Sequence, residues 1–215
     1  MALFLVTGGG GFIGSNLVEA LLRRGDDVRA LDDFSSGRRE NLDGVAAWTR
    51  ERSSRFELIK GDIRDLETCR RAMQGADYVL HLAAVPSVQR SVLDPASTNE
   101  VNVTGTLNLL LTARDAKPKR FVYTSSSSVY GESETLPKVE SMPAAPISPY
   151  GLQKFAAEAY SRQFHRLYGL PTVALRYFNV FGPRQDPSSE YSAVIPRFIS
   201  AIKEGRSPTI FGYGE

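Results

Sequence analysis

The chain has 215 residues, 42% hydrophobic and 23% charged, which is length enough to bury a substantial core and an ordinary balance for a globular protein. Twenty-six basic residues against 24 acidic ones leave a formal charge of +2, too small and too dispersed for a nucleic-acid-binding surface. Cys69 is the single cysteine, no apolar run reaches the ~20 residues of a membrane span, and the first residues enter a strand without a leader's pattern, so the expectation is a cytoplasmic protein with no disulfide, no membrane partner and no resident metal.

Leu3-Phe4-Leu5-Val6 is a short unbroken apolar segment of the kind that becomes a central parallel strand, and Leu17, Val18, Leu21 and Leu22 recur at helical spacing after it. Between the two lies Thr7-Gly8-Gly9-Gly10-Gly11-Phe12-Ile13-Gly14. One glycine at the strand end permits a tight turn, another leaves no side chain between backbone and ligand, and Gly14 lets the helix lie close to the sheet. The helix N-terminus then offers N–H donors to an anion such as a dinucleotide pyrophosphate. A second strand, Val28 to Leu31, delivers Asp32 to the place of the acid that hydrogen-bonds an adenosine ribose. Its charge would repel a 2′-phosphate, which favours NAD over NADP. Arg38 and Arg39 blur that preference only weakly and read as a solvated basic turn.

Ser35-Ser36-Gly37 makes a turn, and residues 38–55 read as a surface excursion with room for one short helix. Phe56 to Ile59 is a third strand ending in Gly61-Asp62-Ile63, where Asp62 either accepts from an adenine amino group or caps the next turn. Leu66 to Met73 is a short helix, and a fourth strand, Tyr78 to Leu82, runs into Ala83-Ala84, small residues over which a cofactor can lie at the carboxyl edge of the sheet. His81, inside that apolar run, reads as a packed strand residue. Pro95 to Ala113 is a helix with Val101, Thr104, Leu107, Leu110 and Leu111 on its apolar faces, and the acceptor pattern Asn102-Val103-Thr104 within it is read as chance. Arg120 to Tyr123 is a fifth strand, ending in the hydroxyl-rich Thr124-Ser125-Ser126-Ser127-Ser128. A helix from Pro149 to Tyr168 and a sixth strand, Thr172 to Arg176, complete an alternation that predicts an α/β, doubly wound parallel sheet.

Tyr150 and Lys154 stand i, i+4 near the start of their helix and project from one face. A phenol ionises near pH 10 in water; an ammonium one turn away and an oxidised nicotinamide ring would together bring it toward working pH. Such a phenolate can take the proton of a sugar hydroxyl while a serine from the neighbouring strand end holds the oxygen in line.

The sequence at this point resembles the extended short-chain dehydrogenase/reductase family, in its nucleotide-sugar epimerase/dehydratase branch. The resemblance runs from Leu3 almost to the last residue. It rests on Thr7-Gly8-x-x-Gly11-x-x-Gly14, Asp32-Asp33-Phe34-Ser35-Ser36-Gly37, Gly61-Asp62-Ile63, Leu82-Ala83-Ala84, Asn102-Val103-x-Gly105-Thr106, Ser125 to Gly131, Tyr150-x-x-x-Lys154 and Arg176 to Pro183. It implies a Rossmann-fold NAD-binding domain over residues 1–176, catalytic helix included, and the start of a nucleotide-sugar-binding lobe over 177–215. It further implies Tyr150 as base, Lys154 binding the nicotinamide ribose and assisting Tyr150, and Ser126 as the catalytic hydroxyl. NAD would be held by Gly8, Gly11, Phe12, Ile13, Gly14, Asp32, Asp33, Ser36, Gly37, Asp62, Ile63, Leu82, Ala83, Ala84 and Tyr177, besides Tyr150 and Lys154. A UDP-sugar would meet Ser87, Ser126, Ser127, Asn179, Val194 and Ile195.

Within the branch, sugar 4,6-dehydratases typically carry Asp-Glu after the catalytic hydroxyl, and UDP-glucuronate decarboxylases a Glu at the second position; here these are Ser127 and Ser128. The resemblance therefore implies a 4-epimerase, which needs no further acid or base. The segments from Phe181 to Pro187 and from Tyr191 to Pro196 are similar to the nucleotide-lining stretch of UDP-N-acetylhexosamine and UDP-hexuronate 4-epimerases. Pro208 to Glu215 resembles the strand and turn that precede a diphosphate-gripping Arg-Asp pair, so a partial substrate lobe is expected. Another reductase or epimerase of the branch, and a dinucleotide-binding module without turnover, remain as alternatives. The wide apolar faces of helices 95–113 and 149–168 agree with the family's habit of pairing through them, and a homodimer is expected.

Overall fold

The computed structural model describes residues 1–50, 53–186, 194–208 and 210, without the side chains of Ala46 and Arg50. Six strands form one sheet: β1 (Leu3–Thr7), β2 (Asp27–Asp32), β3 (Phe56–Lys60), β4 (Tyr78–His81), β5 (Arg120–Ser126) and β6 (Thr172–Tyr177). Their order is β3-β2-β1-β4-β5-β6 and every pairing is parallel. The chain reverses direction across the sheet between β1 and β4, and an open α/β sheet binds ligands outside the carboxyl ends of its strands at that point.

The helices are α1 (Phe12–Arg24), α2 (Val45–Arg50), α3 (Leu66–Met73), α4 (Val88–Leu93), α5 (Pro95–Asn99), α6 (Thr106–Ala116), α7 (Pro149–Tyr168) and α8 (Val194–Lys203). Helices α1 to α7 cover both faces of the sheet, and each face has its own core. One core gathers Leu5, Met73, Leu109, Leu110, Phe121, Ala157 and Phe164, the other Val6, Val18, Leu22, Val28, Leu42 and Trp48. Among the described residues no helix is long and apolar enough to cross a membrane.

Helices α3 and α7 have the predicted limits, because each carries a stop and a start written in its sequence. Asp65 caps α3 by accepting from the N–H groups of Glu67 and Thr68, and Ser148 caps α7 by accepting from Gly151, with Pro149 in the first turn. Three elements differ from expectation. The predicted helix Pro95–Ala113 is α5, a π turn over Glu100–Gly105, and α6, which runs on to Ala116. The wide turn leaves backbone where Gly105 packs so tightly on Ile63 that a Cβ would sit 2.6 Å from its side chain. The excursion after β2 holds a 3-10 turn (Arg39–Leu42) as well as α2, and buries Leu42 and Trp48. Strand β5 continues through Ser126, since Thr124, Ser125 and Ser126 pair with Leu175, Arg176 and Tyr177 despite their polar side chains.

The chain forms two compact units, Met1–Phe178 and Asn179–Glu215. The first contains the whole sheet. Within the second, α8 is an amphipathic helix with Ala201 buried and Val194, Ile195, Ile199 and Ile202 exposed. The expected substrate residues Asn179, Val194 and Ile195 belong to this second unit, whereas Pro187, Tyr191, Ser192, Ala193, Thr209 and Phe211 to Glu215 lie outside the described residues.

Candidate active site

At the carboxyl end of β1 the glycines make a cradle with no room for side chains. Gly8 takes φ +71°, and a Cβ there would sit 2.8 Å from the backbone nitrogen of Ala83. A Cβ on Gly14 would lie 2.0 Å from the carbonyl oxygen of Gly8. Gly11 is the N-cap of α1 and brings no side-chain cap, so the first-turn donors around Phe12, Ile13 and Gly14 are left for an anion. The cradle fits a dinucleotide pyrophosphate on these terms.

Asp32 ends β2, 7% exposed. Its carboxylate accepts from the N–H groups of Gly10 and Phe34, both at 2.8 Å, and a Cβ on Gly37 would crowd it at 2.9 Å. Burial raises its pKa, and these backbone bonds pull the other way. The excursion folds back on the cradle, since Arg38 N–H and Asn41 Nδ2 both donate to the carbonyl of Gly10. Asp33 is exposed, its carboxylate taken by the N–H and hydroxyl of Ser35, and Ser36 is exposed beside it.

At the next strand end Asp62 accepts from the N–H, Nε and Nη2 of Arg64, which hold its carboxyl below the usual range against the effect of burial. The helix cap is Asp65, three residues on. Ile63 is buried, its carbonyl bonded by Cys69 Sγ and Asn108 Nδ2. Leu82, Ala83 and Ala84 are half-buried at the end of β4. Ser87, expected to meet substrate, is 1% exposed and caps α4, its Oγ accepting from the N–H of Arg90.

Ser126 is the last residue of β5, Tyr150 and Lys154 stand on the first two turns of α7, and the three come together at the carboxyl edge. The Ser126 Oγ accepts from the N–H of Ser128 and donates to its hydroxyl at 3.0 Å, and Ser126 lies near enough to the Tyr150 phenol to favour its ionised form. Ser127 is half-buried alongside. Tyr177, opposite Ser126 in the β5–β6 register, is half-buried at the same edge. The backbone N–H of Tyr150 donates to Ser91 Oγ at 3.0 Å, which fixes the start of α7 against α4. Lys154 is 4% exposed; its Nζ donates to the carbonyl of Thr124 at 2.8 Å and lies 5.2 Å from the ring centre of Tyr123 and 5.9 Å from that of Tyr150. Burial brings the Lys154 pKa down to about 8. The expected lowering of the Tyr150 pKa is not a property of the chain alone: burial raises it, and the nearby Ser126 only offsets part of the rise.

Behind these residues runs a polar network that periodicity does not announce. His81 is buried, as expected, with Nδ1 2.7 Å from Thr7 Oγ1 and Nε2 2.9 Å from Thr106 Oγ1. Thr106 donates to the carbonyl of Asn102, so it must accept from His81 Nε2–H; Thr7 accepts from the N–H of Ala83 and gives its own proton to Nδ1. The ring is thereby neutral, and its pKa falls to about 3 through burial first and the Lys154 charge second. Asn102, 1% exposed, accepts from Val85 N–H and donates to Gln153 Oε1 at 2.8 Å, joining the loop after β4 to the residue beside Lys154. An asparagine on the apolar side of a helix, and a glutamine next to the lysine, were the available signals.

A family model described as the NAD dependent epimerase/dehydratase family matches residues 4–215. The chain belongs to this family. Among curated members of the epimerase/dehydratase family, a UDP-glucose 4-epimerase of Mycolicibacterium smegmatis is 45% identical over 212 residues, 98% of this chain and 66% of that protein. Among solved structures, the UDP-N-acetylglucosamine 4-epimerase of Methanobrevibacter ruminantium, in complex with UDP-N-acetylmuramic acid, is 45% identical with a TM-score of 0.90, covering 100% of this chain and 66% of that one. The UDP-glucose 4-epimerase of Thermus thermophilus, complexed with NAD, is 40% identical with a TM-score of 0.82, covering 96% and 64%. The chain thus spans about two thirds of the length of these relatives. NAD is the family's cofactor, and the glycine cradle with Asp32 fits it.

Proposed function

We propose that the chain serves the NAD-dependent 4-epimerisation of a UDP-sugar. The observation that carries this reading is the convergence of Ser126, Tyr150 and Lys154 at the strand edge next to the glycine cradle, with hydroxyls at Ser127 and Ser128 instead of carboxylates. NAD, when bound, supplies the oxidation at C4 and the return of hydride. The chain's own part is proton handling and orientation. Ser126 Oγ holds the C4 oxygen, and the Tyr150 phenolate takes the proton of that oxygen and, as the phenol, later gives it back. Lys154, buried and fixed on Thr124, places a positive charge beside the phenol that favours its ionised form once substrate and cofactor exclude water. The serines at 127 and 128 offer no acid or base for eliminating water, which supports epimerisation over dehydration. The 4-epimerase names of the relatives support the same reaction.

The reading extends to three further assignments. Gly8, Gly11 to Gly14, Asp32, Asp33, Ser36, Gly37, Asp62, Ile63, Leu82 to Ala84 and Tyr177 would line the NAD site. Ser87, Ser127, Asn179, Val194 and Ile195 would meet the nucleotide sugar, Ser87 only through its backbone, given its buried hydroxyl. A cytoplasmic homodimer would form through helices 95–113 and 149–168; the exposure of Leu152 and Tyr160 on α7 supports it. Sedimentation that shows only monomer at micromolar concentration would remove the dimer.

The deciding experiment is product analysis by NMR, with the 215-residue chain, NAD and a panel of UDP-hexoses, UDP-N-acetylhexosamines and UDP-hexuronates. A C4 epimer is expected. NAD retention without conversion of any panel member overturns the reading in favour of a binding module.

A further inference from the structure

The buried ion pair beneath the catalytic edge is not accounted for by binding or by proton transfer. Glu158 lies on α7, one turn beyond Lys154, and is 5% exposed. Arg176 on β6 grips it through two parallel bonds, Nε to Oε2 at 3.0 Å and Nη2 to Oε1 at 2.9 Å. Ser125 on β5 donates to the same carboxylate, Oγ to Oε2, at 2.9 Å. The Arg176 guanidinium in turn lies over the ring of Tyr130, 4.6 Å from its centre, and Tyr130 closes the 3-10 turn Ser127–Tyr130 that follows Ser126.

One carboxylate therefore ties together the helix that carries Tyr150 and Lys154, the strand residue next to Ser126, and the strand and turn on either side of it. Ser125 and Ser126 point to opposite sides of β5, so anchoring the first fixes how far the second reaches past the strand end. A bidentate guanidinium–carboxylate pair has the directional rigidity for this, which a hydrophobic contact lacks. Burial of the carboxylate is countered by Arg176 and Ser125, which hold Glu158 ionised.

We infer that Glu158, Arg176 and Ser125 are positioning residues whose shared ion pair sets the distance between the Ser126 hydroxyl and the Tyr150 phenol. They touch no reacting atom. The inference rests on the reading of Ser126 and Tyr150 as the proton-handling pair. A purely structural pair would instead hold the fold together and leave the Ser126–Tyr150 contact as it is once the fold is secured by other means.

The test separates these by replacing both charges at once, Glu158→Met with Arg176→Met. Exchanging a buried pair for apolar side chains of similar size is commonly neutral or stabilising, whereas removing one partner is not. The protein is labelled with carbon-13 at the tyrosine ζ position, and the Tyr150 line among the nine tyrosines is assigned by its loss in Tyr150→Phe. Ser126→Ala marks where that line falls when the Ser126 hydroxyl is missing. In the folded, cofactor-free double variant the Tyr150 line is expected to move toward the Ser126→Ala position. In turnover, kcat should fall about tenfold to a hundredfold with KM for the UDP-sugar within about twofold. A folded double variant with the Tyr150 line at its original place, or with an unchanged kcat, overturns the inference. If the double variant does not fold, Ser125→Ala decides on the same line, because it leaves both charges paired. Absence of epimerisation by the unsubstituted chain would sink the proposed function alone, since the NMR line needs no turnover.

Discussion

Lys154 places its buried ammonium against the carbonyl oxygen of Thr124, 2.8 Å away, with the rings of Tyr123 and Tyr150 around it and, among the described residues, no carboxylate as hydrogen-bond partner. A charge so placed is tolerated rather than favoured by the fold, and its pKa drops to about 8. The unfolded chain keeps this proton up to about pH 10.4. Between those values the unfolded state binds more protons than the native one, so this group makes stability rise with pH across that window. Lys154→Met should therefore be more stable than the unsubstituted protein at pH 7, by about 1 to 3 kcal/mol, and the difference should shrink toward pH 10. Urea titrations of the cofactor-free protein at pH 7, 8.5 and 10 measure it. The same variant should lose activity, which marks Lys154 as a residue kept for chemistry at the expense of stability.

Tyr150→Phe removes one oxygen from a half-buried ring and leaves the backbone bond to Ser91 intact. Its effect should fall on proton transfer alone. A loss of about 10²- to 10⁴-fold in kcat is expected, with NAD retention unchanged when bound nicotinamide is measured after gel filtration. Activity equal to that of the unsubstituted chain would remove Tyr150 from the mechanism.

The glycines of the cradle should differ among themselves. At Gly14 an alanine Cβ would meet the backbone carbonyl oxygen of Gly8 at 2.0 Å, whereas at Gly11 the nearest atom is the same oxygen at 3.2 Å. Gly14→Ala should thus abolish NAD binding or folding, and Gly11→Ala should weaken binding by a smaller factor. Calorimetric NAD titration ranks the two. Equal affinities would show that the loop can shift as a unit.

Asp32 offers a test of cofactor choice. Its buried carboxylate is held by Gly10 and Phe34, and Asp32→Asn keeps an oxygen acceptor while removing the charge that would face a 2′-phosphate. The ratio of NADP to NAD affinity should rise at least severalfold in the variant, through better NADP binding and weaker NAD binding together. Fluorescence titration with both reduced dinucleotides reads the ratio.

Much of this site is legible in the sequence because glycines, an acid after a strand and a Tyr-Lys pair one turn apart are local patterns. Helix α7 has its predicted limits because Ser148, Pro149 and Gly169 mark its ends. The sheet is legible for the same reason, as short apolar runs alternate with helices. What stays hidden is pairing at long range. Nothing local in the sequence singles out Glu158, whose partners Arg176 and Ser125 come from other elements. Asp62 offers two local roles, and its actual partner, Arg64, is two residues away but satisfies it from the side chain as well as the backbone. The π turn at Glu100–Gly105 shifts the faces of the predicted helix, so Asn102 lands in the interior when periodicity alone cannot say why an amide belongs there. The rise in the Tyr150 pKa is hidden as well, because burial is a property of the packed chain and the i, i+4 spacing shows only the favourable neighbour.

Asn102 also supplies the sharpest test of the network behind the site. Its Oδ1 accepts from the N–H of Val85 at 2.8 Å, while Nδ2 donates to the carbonyl of Val85 and to Gln153 Oε1. These partners fix the amide's orientation, since only nitrogen can face two acceptors. Asn102→Asp keeps shape and volume but turns an oxygen toward both of them in a site 1% exposed. The cost at pH 7 should be about 2 to 4 kcal/mol, from two lost donations and an unpaired buried charge. Burial and facing acceptors must raise the pKa of the new carboxyl above its unfolded value near 3.9, so the native state binds the extra proton and the deficit narrows as pH falls. Urea titrations of both proteins at pH 7 and pH 5 compare the gap directly, with the acid sensitivity of buried His81 common to the two. A gap that stays constant between those pH values would mean that the aspartate reaches water or a new donor, and that the loop after β4 is not held to α7 through this amide.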